Sequence, residues 1–274
     1  MPVPKASIII SVYNRFDFLA LVLAGLEAQT ETGFEVIISD DGSGEEFIRQ
    51  LRAYQQASPL RLRHNWHPDE GFLKNRILNS SIRLAEGATL IFLDGDCIPH
   101  PAFVAEHLAL GGLGRCLAGR RIDLSARLTQ QLTPASVRAG VLQRLGTMLG
   151  QLGDYLARRT FHYMNGFYVR QALLRRYFNR KKRGLLGANF SVQKTDLVAV
   201  NGFDERYTAP TFGEDSDVEF RLRLNGVAII PVLNIAVTYH CYHKLLPRLD
   251  VSRELYEQVV RDRVAFTPHG LVQQ

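Results

Sequence analysis

The first hundred residues alternate short apolar runs with helical patterns, and this alternation restricts the fold more than any other feature of the chain. Residues 6–11, 35–39 and 89–93 are apolar almost throughout, as expected for strands that are buried on both faces. Apolar residues between the runs recur at helical spacing, as in Leu19, Val22, Leu23 and Leu26. Further helices over 45–56 and 71–86 and a strand over 60–63 complete the pattern. The order predicts an α/β fold with a mostly parallel sheet flanked by helices.

Acidic residues follow two of the predicted strands. Asp94-Gly95-Asp96 comes directly after a buried strand, and ligands of open parallel sheets bind at the carboxyl ends of strands. Two carboxylates at this spacing can reach one divalent cation, for which Mg²⁺ or Mn²⁺ is the natural occupant. Such a cation would stabilise a diphosphate leaving group. The alternative is a plain Asp-Gly turn that caps the next helix.

Asp40-Asp41-Gly42-Ser43 follows the second strand. A carboxylate at this position can accept a hydrogen bond from a nucleobase N–H or a ribose hydroxyl. A turn with a helix N-cap would produce the same sequence. The two acidic strand ends together favour a nucleotide ligand.

A third acidic cluster, Gly213–Asp217, precedes a helical pattern over 215–224. Its carboxylates can serve as helix caps, but so much like charge in a few residues is also typical of a site that uses it. A carboxylate general base for a hydroxyl nucleophile is the sharper interpretation. His240 and His243 end a later apolar strand and could complete a metal site with Asp96, although a strand-end histidine is often structural.

The net charge of +6 is distributed unevenly. Residues 115–183 contain fifteen basic and two acidic residues, a net of +13, which leaves −7 for the rest of the chain. Helices are predicted there over 137–156 and 168–178. A basic helix that also carries aromatic residues predicts an element that binds an anionic membrane surface, and its basic residues are Arg170, Arg175, Arg176 and Arg180–Arg183. A solvated helix face is the alternative, and nucleic acid is not expected because the acidic clefts would repel it.

The cysteines and the N-terminus bear on location. Cys97, Cys116 and Cys241 form no CxxC pair, so neither a disulfide framework nor a zinc ribbon is predicted. The N-terminal apolar run is too short for a signal peptide, and no stretch reaches the roughly 20 apolar residues that span a bilayer. We therefore expect a cytoplasmic protein, or one bound peripherally to the inner face of a membrane.

The second half returns to α/β character. Strands are predicted over 188–192, 227–232 and 235–240, a short helix over 195–200, and a helix with a loose end in the tail. The predicted organisation is a first α/β half (1–110), a basic helical insertion (111–183), a second α/β half (184–245) and a C-terminal helix and tail (246–274).

Taken together, these segments resemble a family-2 glycosyltransferase with the GT-A fold. The resemblance covers about 1–110 and 184–245. It implies that 1–110 is the nucleotide-sugar-binding half and that 184–245 is the acceptor and catalytic half. It rests on SIIISVYNR, EVIISDDGSG and TLIFLDGDCIPHP in the first half and on NGFDERY and GEDSDVEF in the second, which is similar to galactosyltransferase-type and chondroitin-polymerase-type enzymes. The resemblance implies an inverting, metal-dependent transfer of a sugar from a nucleotide-diphosphate donor, for which a UDP-sugar is favoured.

The resemblance also implies roles for individual residues. Asp215 would be the catalytic base, Glu214 would bind acceptor or donor sugar, and Asp96 would hold the metal with Asp94 and with His240 or His243. The residues implied for donor binding are Val12, Tyr13, Asn14, Arg15, Asp40, Asp41, Lys74, Arg76, Asn79, Asp94 and Gly95. Those implied for the sugar and acceptor are Gly187, Ala188, Asn189 and Asp217.

The chain departs from processive, membrane-embedded polymerases because it lacks their Gln-x-x-Arg-Trp signature. We therefore expect one sugar to be added per encounter, to a cell-surface glycan or a lipid-linked acceptor. Two rival functions are weaker. A sugar nucleotidyltransferase would need a glycine-rich basic loop after the first strand, and a non-catalytic basic membrane-binding protein would not need Asp96, Asp215 and His240 together.

Overall fold

The computed structural model describes residues 2–209, 213–244 and 251–273. Seven strands form the main sheet in the order β3-β2-β1-β4-β8-β6-β9, and three short strands form a second sheet in the order β5-β10-β7. The main strands are β1 Ala6–Val12, β2 Phe34–Asp40, β3 Leu62–Trp66, β4 Thr89–Asp94, β6 Arg115–Ala118, β8 Asn189–Gln193 and β9 Ala228–Pro231. The second sheet contains β5 Cys97–Pro99, β7 Arg120–Asp123 and β10 Val237–His240.

The sheet is parallel where the sequence predicts it. Strands β1 to β4 run parallel, whereas β8 is antiparallel to both of its neighbours. Ile8 and Ile10 of β1 belong to the core on one face and Ile9 to the core on the other, so the strand is buried on both sides. This confirms the predicted fold class.

Helices cover both faces of the sheet. They are α1 Phe16–Glu27, α2 Glu45–Ala57, α3 Lys74–Leu84, α4 Phe103–Leu110, α5 Ala126–Gln131, α6 Pro134–Arg138, α7 Leu145–Leu156, α8 Ala172–Phe178, α9 Lys194–Ala199, α10 Glu214–Leu224 and α11 Arg253–Asp262, with 3-10 turns at Val141–Gln143 and Tyr163–Gly166. Helix α1 packs on the face of Ile8 and Ile10, and α3 and α10 pack on the other. Across the described ranges, we find no helix whose length and apolarity would suit a bilayer span.

The basic segment differs from the helical insertion predicted over 111–183. It begins with β6 in the main sheet and β7 in the second sheet, so part of it belongs to the α/β body. The single helix predicted over 137–156 is also broken, because Gly140 adopts a left-handed conformation (φ +71°) that ends α6.

The end of the chain is not the loose tail that the sequence predicts. Asn201 donates to the carbonyls of Thr267 and Val272, and Leu271 packs beside the core under α9. These contacts tie the segment after α11 to the body of the protein. The boundary predicted between 245 and 246 lies outside the described residues.

Candidate active site

A cavity of about 500 Å³ opens at the carboxyl edge of the parallel strands. Strand register creates it, because Val12 is paired with Asp40 and Ser11 with Asp94, so the ends of β1, β2 and β4 meet at one edge. Several predicted donor-binding residues line this cavity, namely Val12, Tyr13, Arg15, Asp41, Lys74, Asp94 and Gly95. Asp96 and His243 lie at its margin with Phe18, Asp69 and Phe72.

One end of the cavity is built around Asp41. Its carboxylate accepts hydrogen bonds from His67 Nε2 (2.8 Å) and from the backbone N–H of Leu73 (3.0 Å). Burial raises the pKa of Asp41, and His67 opposes that effect. Tyr13 donates its hydroxyl to Asp69 (2.8 Å) on the facing loop. An aromatic side chain and a carboxylate acceptor at one place suit a nucleobase, which is an aromatic ring that carries N–H donors.

Asp94 is held at the end of β4 by polar partners. It accepts from the Ser11 hydroxyl (2.9 Å), and the Lys74 ammonium lies 3.5 Å from the same oxygen. The next position suits only glycine, because a Cβ on Gly95 would come within 2.7 Å of Val12 Cγ1 and 3.0 Å of the Ser11 carbonyl oxygen. The glycine lets the acidic turn fold back against β1 and present both carboxylates.

Asp96, His240 and His243 converge on one point. Asp96 Oδ2 lies 3.4 Å from His240 Nε2 and 3.2 Å from His243 Nε2, and the two nitrogens are 3.2 Å apart. Both Nδ1 atoms are occupied elsewhere, since His240 Nδ1 is bonded to Asp123 (3.0 Å) and His243 Nδ1 to the Lys244 carbonyl (3.1 Å). With protons on Nδ1, both Nε2 lone pairs face Asp96, which is the arrangement that a bound cation requires.

The donor set fits a divalent transition metal. Two imidazoles and one carboxylate leave coordination positions for other oxygens, and mixed nitrogen and oxygen ligands suit Mn²⁺ better than Mg²⁺. In the cation-free chain, burial acts to lower the pKa of His240, but its bonds to Asp123 and Asp96 outweigh burial and raise it to about 9. A cation binding here must displace that proton.

A second carboxylate pair starts helix α10. Lys74 Nζ contacts Glu214 Oε1 (3.1 Å), and it thereby links the start of α10 to Asp94 at the end of β4. Burial acts to lower the pKa of Lys74, but the charges of Asp94 and Glu214 hold it well above its ordinary value. The second oxygen of Glu214, Oε2, is buried and has no hydrogen-bond partner among the described residues. A buried acceptor atom without a donor suits a hydroxyl-bearing ligand.

Asp215 lies beside Glu214 and is partly buried. Burial and then the neighbouring charge of Glu214 raise the pKa of Asp215 to about 6, while Lys74 and the Gly187 N–H oppose the rise. The Gly187 N–H donates to Asp215 Oδ2 at 2.7 Å. A Cβ at Gly187 would lie 2.5 Å from Asp215 Oδ1, so only glycine lets the carboxylate approach the backbone. A carboxylate that titrates near neutrality suits proton transfer.

Several predicted donor-binding residues lie outside the cavity. Asp40 is fully buried and accepts from Ser43 N–H and His64, so Asp41 is the carboxylate that faces the cavity. Arg76 is exposed and paired with Glu70. Asn79 holds the backbone of Phe203, and Asn14 accepts from the Gly44 N–H and shapes the loop after β1.

The predicted sugar and acceptor residues divide in the same way. Gly187 contacts Asp215, whereas Ala188 is buried beside it in the core. Asn189 is buried and donates to the Ala236 carbonyl (2.8 Å). Asp217 is 1% exposed and forms an ion pair with Arg221, which gives it a structural role.

Sequence reasoning missed two residues of the site. Arg121 lies 4.0 Å from Asp94 and 3.7 Å from Asp123, and Asp123 orients His240. One feature of the sequence could have indicated Asp123, because it is one of only two acidic residues in the basic segment over 115–183. Its place on β7 beside β10 comes from sheet pairing, in which His240 is the register partner of Asp123.

Comparison with known proteins agrees with this geometry. Residues 7–110 match the family model "Glycosyl transferase family 2". The hyaluronan synthase of Pasteurella multocida is 36% identical over 104 residues, and the chondroitin synthase of Escherichia coli is 27% identical over 239 residues. These alignments cover 38% and 85% of this chain, but only 10% and 34% of the two synthases. The chain thus spans about a tenth to a third of these relatives.

Solved structures share the fold at low sequence identity. A complex of Staphylococcus aureus TarS residues 1–349 with UDP-GlcNAc superposes with a TM-score of 0.61 at 16% identity, covering 94% of this chain and 65% of that one. A Pyrobaculum calidifontis mannosyltransferase in complex with GDP-Man and Mn²⁺ gives a TM-score of 0.58 at 16% identity, with coverages of 89% and 59%. The matches confirm both the predicted GT-A fold and the predicted resemblance.

Proposed function

We propose that this chain, whose residues 7–110 belong to the family 2 glycosyltransferases, moves a sugar from a nucleotide-diphosphate donor to an acceptor hydroxyl with inversion at the anomeric carbon. One observation carries the proposal. The Lys74 ammonium contacts Asp94 in the cavity and Glu214 at the start of α10, and its charge also acts on the neighbouring carboxylate of Asp215, whose pKa is raised to about 6. A cation that can attract a diphosphate and a candidate proton acceptor thus belong to one cluster of side chains, as a single displacement requires.

In the proposed reaction, the acceptor oxygen forms a bond to the anomeric carbon as the bond from that carbon to the diphosphate breaks. Asp215 takes the proton of the acceptor hydroxyl, and Glu214 Oε2 orients the hydroxyl or its sugar ring. Lys74, which stays protonated between two carboxylates, attracts the diphosphate. A divalent cation held by Asp96, His240 and His243, with Asp94 beside it, would supply further positive charge for the leaving diphosphate.

The donor is proposed to be a UDP-sugar bound with its base near Tyr13 and Asp41. TarS in complex with UDP-GlcNAc and the mannosyltransferase in complex with GDP-Man and Mn²⁺ support a nucleotide-sugar donor and a divalent cation. The acceptor is proposed to be a cell-surface glycan or a lipid-linked glycan, consistent with relatives named as glycan synthases. Buried free thiols at Cys97, Cys116 and Cys241 support a reducing, cytoplasmic setting.

The test separates binding from chemistry. Asp215→Asn keeps the shape of the side chain but removes the base, so we expect transfer from radiolabelled UDP-sugars to membrane glycolipid extracts to fall by about 10²–10⁴-fold. UDP binding with Mn²⁺, measured by calorimetry, should change less than about twofold. Asp262→Asn on the exposed end of α11 is the matched control and should leave both quantities unchanged. Full activity of Asp215→Asn would refute the base assignment.

A further inference from the structure

Helix α7 buries polar side chains and exposes three of its four leucines, while the fourth, Leu152, is partly buried against the core. Gln151 and Asp154 are 4% exposed and point into the protein, where Asp154 accepts from the Ser125 hydroxyl (2.6 Å). Leu145, Leu149 and Leu156 lie on the opposite side and are 73%, 57% and 72% exposed. Spacings of four and seven residues place these three side chains on one face of the helix. We call them the leucine face.

The loop that follows α7 also exposes large apolar side chains. Tyr155, at the C-terminal end of the helix, stacks on Tyr163 with ring centroids 5.8 Å apart, so the loop folds back beside α7. Phe161 and Met164 in this region are 61% and 58% exposed. Isolated exposed apolar residues are ordinary, but several large ones on one helix and its adjoining loop mark a binding surface.

The charged residues around the leucine face are mostly basic, and this favours an anionic partner. Residues 141–183 contain ten Arg and Lys, and the single acid among them, Asp154, is buried. Arg158, next to the leucine face, is exposed and forms no ion pair with an acid in the described part of the chain. Helix α8, with Leu173 82% exposed and no buried residue, adds another apolar and basic element to the same segment. Arg159 and Arg175 of this segment pair with Asp154 and Glu106, which leaves Arg158 as the exposed cation beside the leucine face. Apolar side chains beside a basic surface match the interface of an anionic bilayer.

We propose that the leucine face and the loop after it dock the protein on an anionic lipid bilayer, with the leucines in the headgroup–acyl boundary and the arginines on lipid phosphates. Because α7 buries Gln151 and Asp154 whether or not lipid is present, the surface is preformed. The sequence predicted a membrane-binding element from the basic residues over 170–183. The structure assigns the apolar part of the contact to α7 instead.

The experiment is co-sedimentation of the purified chain with vesicles of phosphatidylcholine alone or with about a third phosphatidylglycerol. We expect the protein to bind the anionic vesicles at least about tenfold more tightly, and the triple variant Leu145→Ser, Leu149→Ser, Leu156→Ser to lose about tenfold or more of that binding. The matched control replaces exposed apolar residues elsewhere, at Val3, Leu113 and Val198, with Ser and should bind like the unmodified protein. An unchanged melting temperature shows that each variant is folded.

A second readout does not depend on loss of binding. Leu149→Trp places a fluorophore on the leucine face, and its emission should shift to the blue with anionic vesicles, whereas Leu113→Trp should not respond. Equal binding to both vesicle types by the unmodified protein and the triple variant would overturn the proposal. So would a dimer that becomes a monomer in the triple variant with no change in lipid binding, because the leucine face would then be a contact between two copies. Asp215→Asn should bind vesicles normally, which separates docking from catalysis.

Discussion

At the scale of single residues, the site depends on neighbouring charges that shift the pKa of Asp215 in opposite senses. Burial and the Glu214 carboxylate raise its pKa to about 6, whereas the Lys74 ammonium lowers it. A base must be ionised to accept a proton, so the transfer rate should rise with pH through the pKa of Asp215. This rise is the acidic limb of the pH profile, and the pH at which it occurs therefore reports the charges beside Asp215.

Changing the two neighbours should move the limb in opposite directions. Glu214→Gln removes a negative charge, so the pKa of Asp215 falls and the acidic limb of kcat moves to lower pH. Lys74→Met removes a positive charge, so the limb moves to higher pH. We expect shifts of about one pH unit, measured from pH profiles at saturating donor.

The control for this pair is Lys5→Met, which removes an exposed lysine paired with Glu31 and should leave the limb in place. Shifts of both site variants in the same direction would show that the limb belongs to another group. Glu214→Gln should also raise the KM of the acceptor, because Glu214 Oε2 is a buried atom that has no hydrogen-bond partner among the described residues.

At the scale of elements, helical periodicity sorts the acids of α10 into different roles. Glu214 and Asp215 start the helix and face the cleft, while Asp217 points into the core one turn before Arg221. Arg221 donates from Nε (2.9 Å) and Nη2 (2.5 Å) to Asp217 Oδ2, and from Nη1 to the Val200 carbonyl (2.7 Å). The ion pair lies within α10, and the bond from Arg221 to Val200 ties α10 to the C-cap of α9.

Breaking this pair from one side should be costly. Arg221→Met leaves a buried carboxylate without its partner, so we expect the free energy of unfolding to fall by about 3–5 kcal/mol. The double variant Asp217→Leu, Arg221→Met removes both charges and should recover most of that loss. Denaturant unfolding followed by circular dichroism measures both quantities. Equal destabilisation by the single and double variants would show that packing, and not the unpaired charge, sets the cost.

The same element shows what the sequence can and cannot predict. The strands at 6–11 and 89–93 and the acids at their ends follow from local patterns, because buried parallel strands are apolar throughout and their carboxyl ends meet at one edge. The roles of Asp217 and Asp123 depend on partners far along the chain or on which strand pairs with which. The outward leucines of α7 were missed because an amphipathic pattern does not say which face turns inward.

At the scale of the whole molecule, the proposed metal site joins distant parts of the chain. Asp96 follows β4 in the first half, while in the second half His240 ends β10 and His243 follows it. Asp123 on β7 orients His240 from the basic segment, so all three regions contribute to one centre. A cation that binds these groups only when they are assembled must stabilise the folded protein.

Adding Mn²⁺ together with UDP should therefore raise the melting temperature by about 5 °C or more at saturation. A ligand present at 100 times its Kd adds about 2.7 kcal/mol to the free energy of unfolding. His240→Gln and Asp96→Asn should abolish the Mn²⁺-dependent part, because each removes a donor atom. Asp123→Asn should keep it but require about 10–100-fold more Mn²⁺, because that residue only orients His240. His269→Gln, remote from the cavity, should behave like the unmodified protein in thermal-shift measurements. If His240→Gln keeps the full Mn²⁺ shift, the cation binds elsewhere, and a response of Asp123→Asn equal to that of Asp96→Asn would make Asp123 a direct ligand.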